Sequence, residues 1–195
     1  EISECLVGSE MCIRDSPYDG KKMSRECPIE ILNPGDTLVY PLSQHIGAMA
    51  KPLVKAGDRV LVGQKIAEKG GFISANIHSS VSGTVKAIEK RLVATGGMVD
   101  SIIVENDGMY EEAAPIFSGN PDELSKDEII KIIEEAGIVG MGGAGFPTNV
   151  KLSPKNADII DSIIVNGAEC EPYLTSDYRR MVCLLYTSPS PRDTR

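Results

Sequence analysis

The chain has 195 residues, 42% hydrophobic, 25% charged and 5% aromatic, with no Trp and a formal net charge of −8. Such a composition suits one globular domain or two small ones, and it excludes a collagen, a coiled coil and a disordered acidic tail. No apolar run approaches the roughly 20 residues of a membrane-spanning helix, and an acidic chain without a dense Lys/Arg block excludes nucleic acid as a direct partner.

The five cysteines, Cys5, Cys12, Cys27, Cys170 and Cys183, show neither CxxC nor zinc-ligand spacing. They predict no metal site and no disulfide framework, and a reducing, cytoplasmic compartment is the simplest reading. Residues 1–16 (EISECLVGSEMCIRDS) and 182–195 (VCLLYTSPSPRDTR) carry no sustained period of 2 or 3.6. Both read as non-native, adapter-like tails and are set aside from the fold.

From Asn33 to Asn106 short β-rich runs alternate with turn residues. The clearest strands are residues 37–40 (TLVY), 59–62 (RVLV), 83–86 (GTVK) and 101–104 (SIIV). The punctuation is NPGD at 33–36, AGD at 56–58, and the pairs Gly70-Gly71 and Gly96-Gly97. This spacing predicts a compact barrel or sandwich instead of βαβ units. Residues 54–60 (VKAGDRV) with Gly63-Gln64, and residues 79–85 (SSVSGTV), resemble the two partner turns of biotinyl- and lipoyl-carrier folds. That resemblance implies a barrel-sandwich hybrid. In such carriers a lysine at an exposed hairpin tip is modified. Lys69 has that place here but lacks the flanking Met-Lys-Met or Asp-Lys, so a solvated turn lysine is its default reading. His45 stands without a second ligand nearby in sequence, which favours a structural hydrogen bond over metal binding. His78 reads as a turn residue in the same way.

Residues 110–115 (YEEAAP) mark a shift in composition and read as a linker. A helix follows, begun by a capping box of Ser125 and Glu128 and stopped by Gly137. Its Ile129, Ile132, Ile133 and Ala136 form one apolar face, predicted to be core. Next comes GMGGAGFPT at 140–148, with four Gly among residues 140–145. That density suits either a flexible loop or the close approach of backbone N–H groups to a phosphate or planar ring. Pro147 can begin a short helix, and Lys151 lies one turn further on. A buried strand, residues 162–165 (SIIV), runs into NGAECEPY at 166–173. Asn166, Glu169 and Glu171 then fall beyond a strand's carboxyl end, where ligands sit in open α/β sheets, or else form a polar turn before a helix near Ser176-Asp177.

GMGGAGFPT with Lys151, followed by IVNGAECEPYLTSDYR at 164–179, resembles the flavin-binding module of the RnfC family, a component of the Rnf electron-transport complex. That module is similar to the one in the NADH-oxidising subunit of respiratory complex I. PLSQHIGAMAKP at 41–52 and IHSSVSGTVKAIE at 77–89 resemble the N-terminal domain of the same family. The resemblance implies a multi-domain β plus α/β chain. A barrel-sandwich hybrid domain at 25–110 is followed by the start of a Rossmann-like FMN/NAD-binding domain at 111–181, truncated. It implies FMN and NAD(H) as cofactors, lined by Gly140, Gly142, Gly143, Ala144, Gly145 and Phe146. Lys151 would hold phosphate or flavin, and Asn166, Glu169 and Glu171 would complete the pocket. No side chain is expected to be catalytic, since the cofactor carries the reaction. Met141 and Ala168 stand where the complex I pattern usually has Arg and Asp, which favours the Rnf family.

The resemblance further implies [4Fe-4S] clusters only in a missing downstream part, so that this chain alone would not turn over. Other Rnf complex subunits would be its partners, ferredoxin an indirect electron partner, and integral subunits its only tie to the cytoplasmic face of the membrane. Two alternatives stay open. One is a cobalamin-reductase-like flavoprotein, in which the flavin module usually comes first. The other is a non-catalytic carrier or scaffold built on the biotinyl/lipoyl-like domain.

Overall fold

The computed structural model describes residues 20–94, 96–141, 143–162 and 173–183. The chain divides into two compact units, Asn33–Ile160 and a second drawn from residues 1–32 and 161–195.

The larger unit begins with seven antiparallel strands: β1 (Thr37–Pro41), β2 (Lys51–Pro52), β3 (Arg59–Val60), β4 (Lys65–Glu68), β5 (Ile77–His78), β6 (Gly83–Leu92) and β7 (Met98–Asn106). One sheet has the order β1-β7-β6-β3 and the other β2-β4-β5. The fold is a barrel-sandwich hybrid. Its core is made where the inward residues of both sheets meet: Tyr40, Leu42, Val60, Ile66, Ile77, Val81, Val85, Ile102 and Val104 are all buried. Burying each large aliphatic side chain there contributes about 1.5–3 kcal/mol. At Gly83 the backbone of β6 comes so close to β7 that a Cβ would fall on the Glu105 carbonyl oxygen, so no larger residue fits that pairing.

The two carrier-like stretches meet as partner turns. Gly57 N–H donates to Val85 O (2.7 Å) and Val85 N–H to Asp58 O (2.8 Å), while Gly63 N–H donates to Ser79 O (2.8 Å) and Ser79 N–H to Gln64 O (2.9 Å). Gly57 and Gly63 both take positive φ, at 92° and 78°, the conformation that L side chains avoid. The expected strand at 59–62 stops at Val60, because Gln64 turns back and accepts the Leu61 N–H on its side chain (3.0 Å). Strands β2, β4 and β5 span only two to four residues, too short to show an alternating pattern. His78 lies in β5, opposite Lys65 of β4, and so belongs to a strand where the sequence suggested a turn.

The segment read as a linker is stitched to the barrel. Val62 N–H donates to Glu111 O and Ala113 N–H to Val62 O, both at 2.9 Å, and Arg59 bridges Asp107 (3.0 Å) and Glu111 (2.8 Å). Ser82, fully buried, donates to Asp107 Oδ1 (2.6 Å) and accepts the Glu111 N–H (3.1 Å).

Helix α1 (Lys126–Glu135) has both its predicted ends. Ser125 and Glu128 form the reciprocal capping box, and at the other end Gly137 N–H bonds Glu134 O while Ile138 N–H bonds Ile133 O. With Gly137 at φ 65° this pair of bonds is a complete Schellman motif. The apolar face corrects the sequence expectation. No residue of α1 is buried, and Ile129 is 40% exposed, because the described residues supply only the short helix α2 (Thr148–Lys151) and the barrel's edge as packing partners. The predicted strand at 162–165 lies outside the described residues apart from Ser162, which is exposed.

In the smaller unit, a 3₁₀ turn at Lys21–Met23 and helix α3 (Ser176–Cys183) are described. Lys21 Nζ donates to Leu174 O (2.7 Å), and Thr175 Oγ1 donates to Ser24 Oγ (3.1 Å). Among the described residues no helix is long and apolar enough to cross a membrane.

Candidate functional site

The glycine loop leaves α1 through Ile138 and returns at Pro147. An antiparallel bridge between Val139 and Pro147 pinches its base, closed by Thr148 N–H to Ile138 O (3.0 Å) and Gly140 N–H to Phe146 O (2.9 Å). Inside this neck the chain is open to solvent: Met141 is 80% exposed, Gly143 and Ala144 are exposed, and a Cβ on Gly143 would meet nothing within 4 Å. A side-chain-poor tip on a hydrogen-bonded neck presents its backbone N–H groups to whatever approaches.

Lys151, in the last turn of α2, folds back over the loop. Its Nζ would lie 2.8 Å from a Cβ on Gly140 and stands 6.0 Å from the centre of the Phe146 ring, at the outer limit of a cation–π contact. Pro147 does start a helix, but one of only four residues without a side-chain cap, so the positive charge at this loop comes from Lys151. Gly140, Gly143, Ala144, Gly145, Phe146 and Lys151 are thus brought together. Gly145 sits in the neck, buried against the barrel, with φ 67°; a Cβ there would stand 2.8 Å from Gln44 O and 2.9 Å from the His45 Cα. Gly142, Asn166, Glu169 and Glu171 lie outside the described residues.

The barrel side of the neck contains residues that the sequence did not single out. Asn76 is 7% exposed; its Oδ1 accepts the Lys69 N–H (2.9 Å), and its Nδ2 donates to the Glu134 and Glu135 carbonyls, both at 3.2 Å. Lys65 Nζ bonds Glu135 at 2.5 Å, and the Lys69 ammonium pairs with Glu134. These half-exposed ion pairs each contribute about 0.2–1 kcal/mol, less than the buried amide, whose removal would take a donor from the Glu135 carbonyl and leave the Glu134 carbonyl only the Gly137 N–H. Lys69 is therefore engaged at the turn where a carrier would present a free lysine.

His45 is structural: its Nδ1–H donates to Ile46 O (3.1 Å), and its Nε2 accepts the Ala75 N–H (3.2 Å), which uses both ring nitrogens of the neutral tautomer. A cleft of about 370 Å³ opens between the barrel and the base of the loop, lined by Tyr40, Gln44, His45, Asn76, His78 and Ser80 on one side and Ala136, Gly137 and Val139 on the other. Burial, and then the neighbouring Lys65 charge, hold His78 below its usual range, against a smaller opposing pull from Glu135. Glu135 itself is held below the usual carboxylate range by its bond to Lys65. A second cleft of about 380 Å³, lined by Lys21, Arg25, Glu26, Thr175 and Tyr178, belongs to the smaller unit and holds none of the predicted site residues. Among the described residues no group of His, Cys, Asp and Glu could hold a metal ion.

Residues 16–109 match the RnfC barrel sandwich hybrid domain, and residues 133–183 match the Nuo51 FMN-binding domain. The chain belongs to the RnfC family. Among its relatives is the C subunit of the proton-translocating ferredoxin:NAD(+) oxidoreductase complex of Clostridium ljungdahlii, 49% identical over 85% of this chain and 36% of the relative. The C subunit of the Na(+)-translocating ferredoxin:NAD(+) oxidoreductase complex of Acetobacterium woodii is 43% identical over 85% and 37%. That of the ion-translocating oxidoreductase complex of Rhodobacter capsulatus is 42% identical over 85% and 32%. The chain thus spans about a third of the length of these RnfC relatives. The FMN-binding match takes in the end of α1, the glycine loop and Lys151.

Proposed function

We propose that this chain is the flavin- and nucleotide-binding part of the RnfC subunit in an ion-translocating ferredoxin:NAD oxidoreductase complex. The observation that carries this reading is the open glycine tip held on a hydrogen-bonded neck beneath Lys151, inside the segment that matches an FMN-binding domain. The residues present fit FMN. Gly143 leaves room for a planar group or a phosphate against the backbone, and Lys151 adds the cation that a phosphate needs.

Bound FMN would supply the chemistry that side chains lack, exchanging a hydride with the nicotinamide nucleotide and single electrons with further carriers. The chain's own part is to bind and orient. The backbone around Gly140, Gly143 and Ala144 would lie against the cofactor, Gly142 is a further proposed contact, and the neck fixes where the exposed residues of the loop stand. Lys151 would neutralise phosphate or flavin charge, and its tether in α2 keeps the ammonium over the loop. Asn166, Glu169 and Glu171 are further proposed cofactor contacts, since an amide offers both a donor and an acceptor and a carboxylate can hold ribose hydroxyls. The five cysteines are scattered, and a cluster normally takes four thiolates, so iron–sulfur clusters and the exchange with ferredoxin are assigned to the rest of a full-length protein. Other Rnf complex subunits are the proposed partners, and they would hold the protein at the cytoplasmic face of the membrane.

Gly143→Asp tests the site. An acid placed at an open, exposed position leaves folding stability within about 0.5 kcal/mol of wild type, yet puts negative charge where phosphate or flavin should lie. FMN titration followed by flavin fluorescence should show at least a tenfold weaker Kd; equal flavin uptake by the variant would sink the assignment.

A further inference from the structure

We propose that the barrel-sandwich domain acts as a clamp that sets the spacing between the two legs of the glycine loop, with Asn76 as its positioning residue. The proposal deepens the cofactor reading above and rests on it for the loop's purpose, though not for the clamp itself. One leg starts at Gly137, whose Cα approaches the Asn76 carbonyl so closely that a Cβ would overlap it. The other ends at Gly145, where a Cβ would stand 2.8 Å from Gln44 O and 2.9 Å from the His45 Cα. The two supports are themselves joined, because His45 Nε2 accepts the N–H of Ala75, the residue before Asn76. Barrel residues therefore fix how far apart the legs stand.

Asn76 is suited to the task because all of its side-chain amide is committed. Its Oδ1 holds the Lys69 N–H, and its Nδ2 bonds the last carbonyls of α1, Glu134 and Glu135, which cap the helix from a distance of 58 and 59 residues in sequence. Lys69 with Glu134 and Lys65 with Glu135 flank this cap with two ion pairs of the same direction, barrel cation to helix carboxylate. The turn lysine that would carry a prosthetic group in a related fold is here one jaw of the clamp.

The test uses the full chain and compares wild type, Asn76→Asp, Lys69→Glu, and the exchanged pair Lys69→Glu with Glu134→Lys. Amide hydrogen exchange is followed at Gly140 and Thr148, which close the neck, with β6 and β7 as internal reference. Asn76→Asp should speed exchange at the neck by about tenfold and leave the strands unchanged. Lys69→Glu should do so more weakly, and the exchanged pair should restore wild-type rates. Unchanged neck exchange in Asn76→Asp, or an equal rise in the strands, would overturn the clamp. FMN titration of the same variants separates the two proposals. A Kd that rises with neck exchange supports the positioning role, and a loosened neck with unaltered Kd overturns it. Wild-type chain that takes up no FMN overturns the cofactor reading, while the exchange rates still decide the clamp.

Discussion

Two glycines of the same loop do opposite work. Gly145 combines φ 67° with a Cβ position 2.8 Å from a carbonyl oxygen, so Gly145→Ala should cost about 2 kcal/mol or more in urea unfolding. Gly143, three residues from the foot of the loop and with open space around it, should accept Ala at no measurable cost. Equal destabilisation by the two substitutions would mean that the neck is not seated on the barrel as described. The sequence shows glycine density but cannot rank the glycines, since each one's need comes from a neighbour far along the chain. Asn76 makes the same point: nothing in its local sequence points to helix carbonyls beyond residue 130, and only the folded barrel brings them together.

At the scale of elements, α1 was legible because its ends are written in residues three or four apart. Ser125 and Glu128 close the capping box, and Gly137 closes the Schellman turn. Ser125→Ala removes the side chain that accepts the Glu128 N–H and should cost about 1 kcal/mol, measured by urea unfolding followed through helix ellipticity; a variant as stable as wild type would show that packing alone holds this helix. The face of α1 was misjudged for a physical reason. Period 3.6 tells which side is apolar, but not what covers it, and the described residues leave Ile129 part-exposed. The barrel shows the converse. Its two long strands and glycine turns were readable, whereas β2, β4 and β5 exist only through cross-strand pairing that no short run of sequence encodes.

For the larger unit as a whole, acidity is the lever on its docking contacts. Folding holds His78 below its usual value, so the unfolded chain binds more protons in the window beneath about pH 6.5. Stability is therefore present above that pH and lost as it falls toward the lowered native value. Glu135, also lowered, contributes stability above about pH 4.5 that is lost as pH falls through its own native value. Melting temperature should decline from pH 7 to pH 5.5, and His78→Gln should flatten that upper part of the profile while leaving the acid limb. An unaltered slope in the variant would remove His78 from the account. The likeness of residues 54–64 and 79–85 to carrier folds led to the right architecture, while the fate of Lys69 depended on Glu134, a partner that the hairpin alone could not reveal.

Because Lys69 is tethered to Glu134 and the turn around it is bonded to Asn76, this hammerhead has no swinging arm to send out. Under the proposed cofactor reading, this part of the barrel would not ferry a group between sites but would stay where the neck holds it. In this setting a scaffold shared with courier proteins serves as an anchorage.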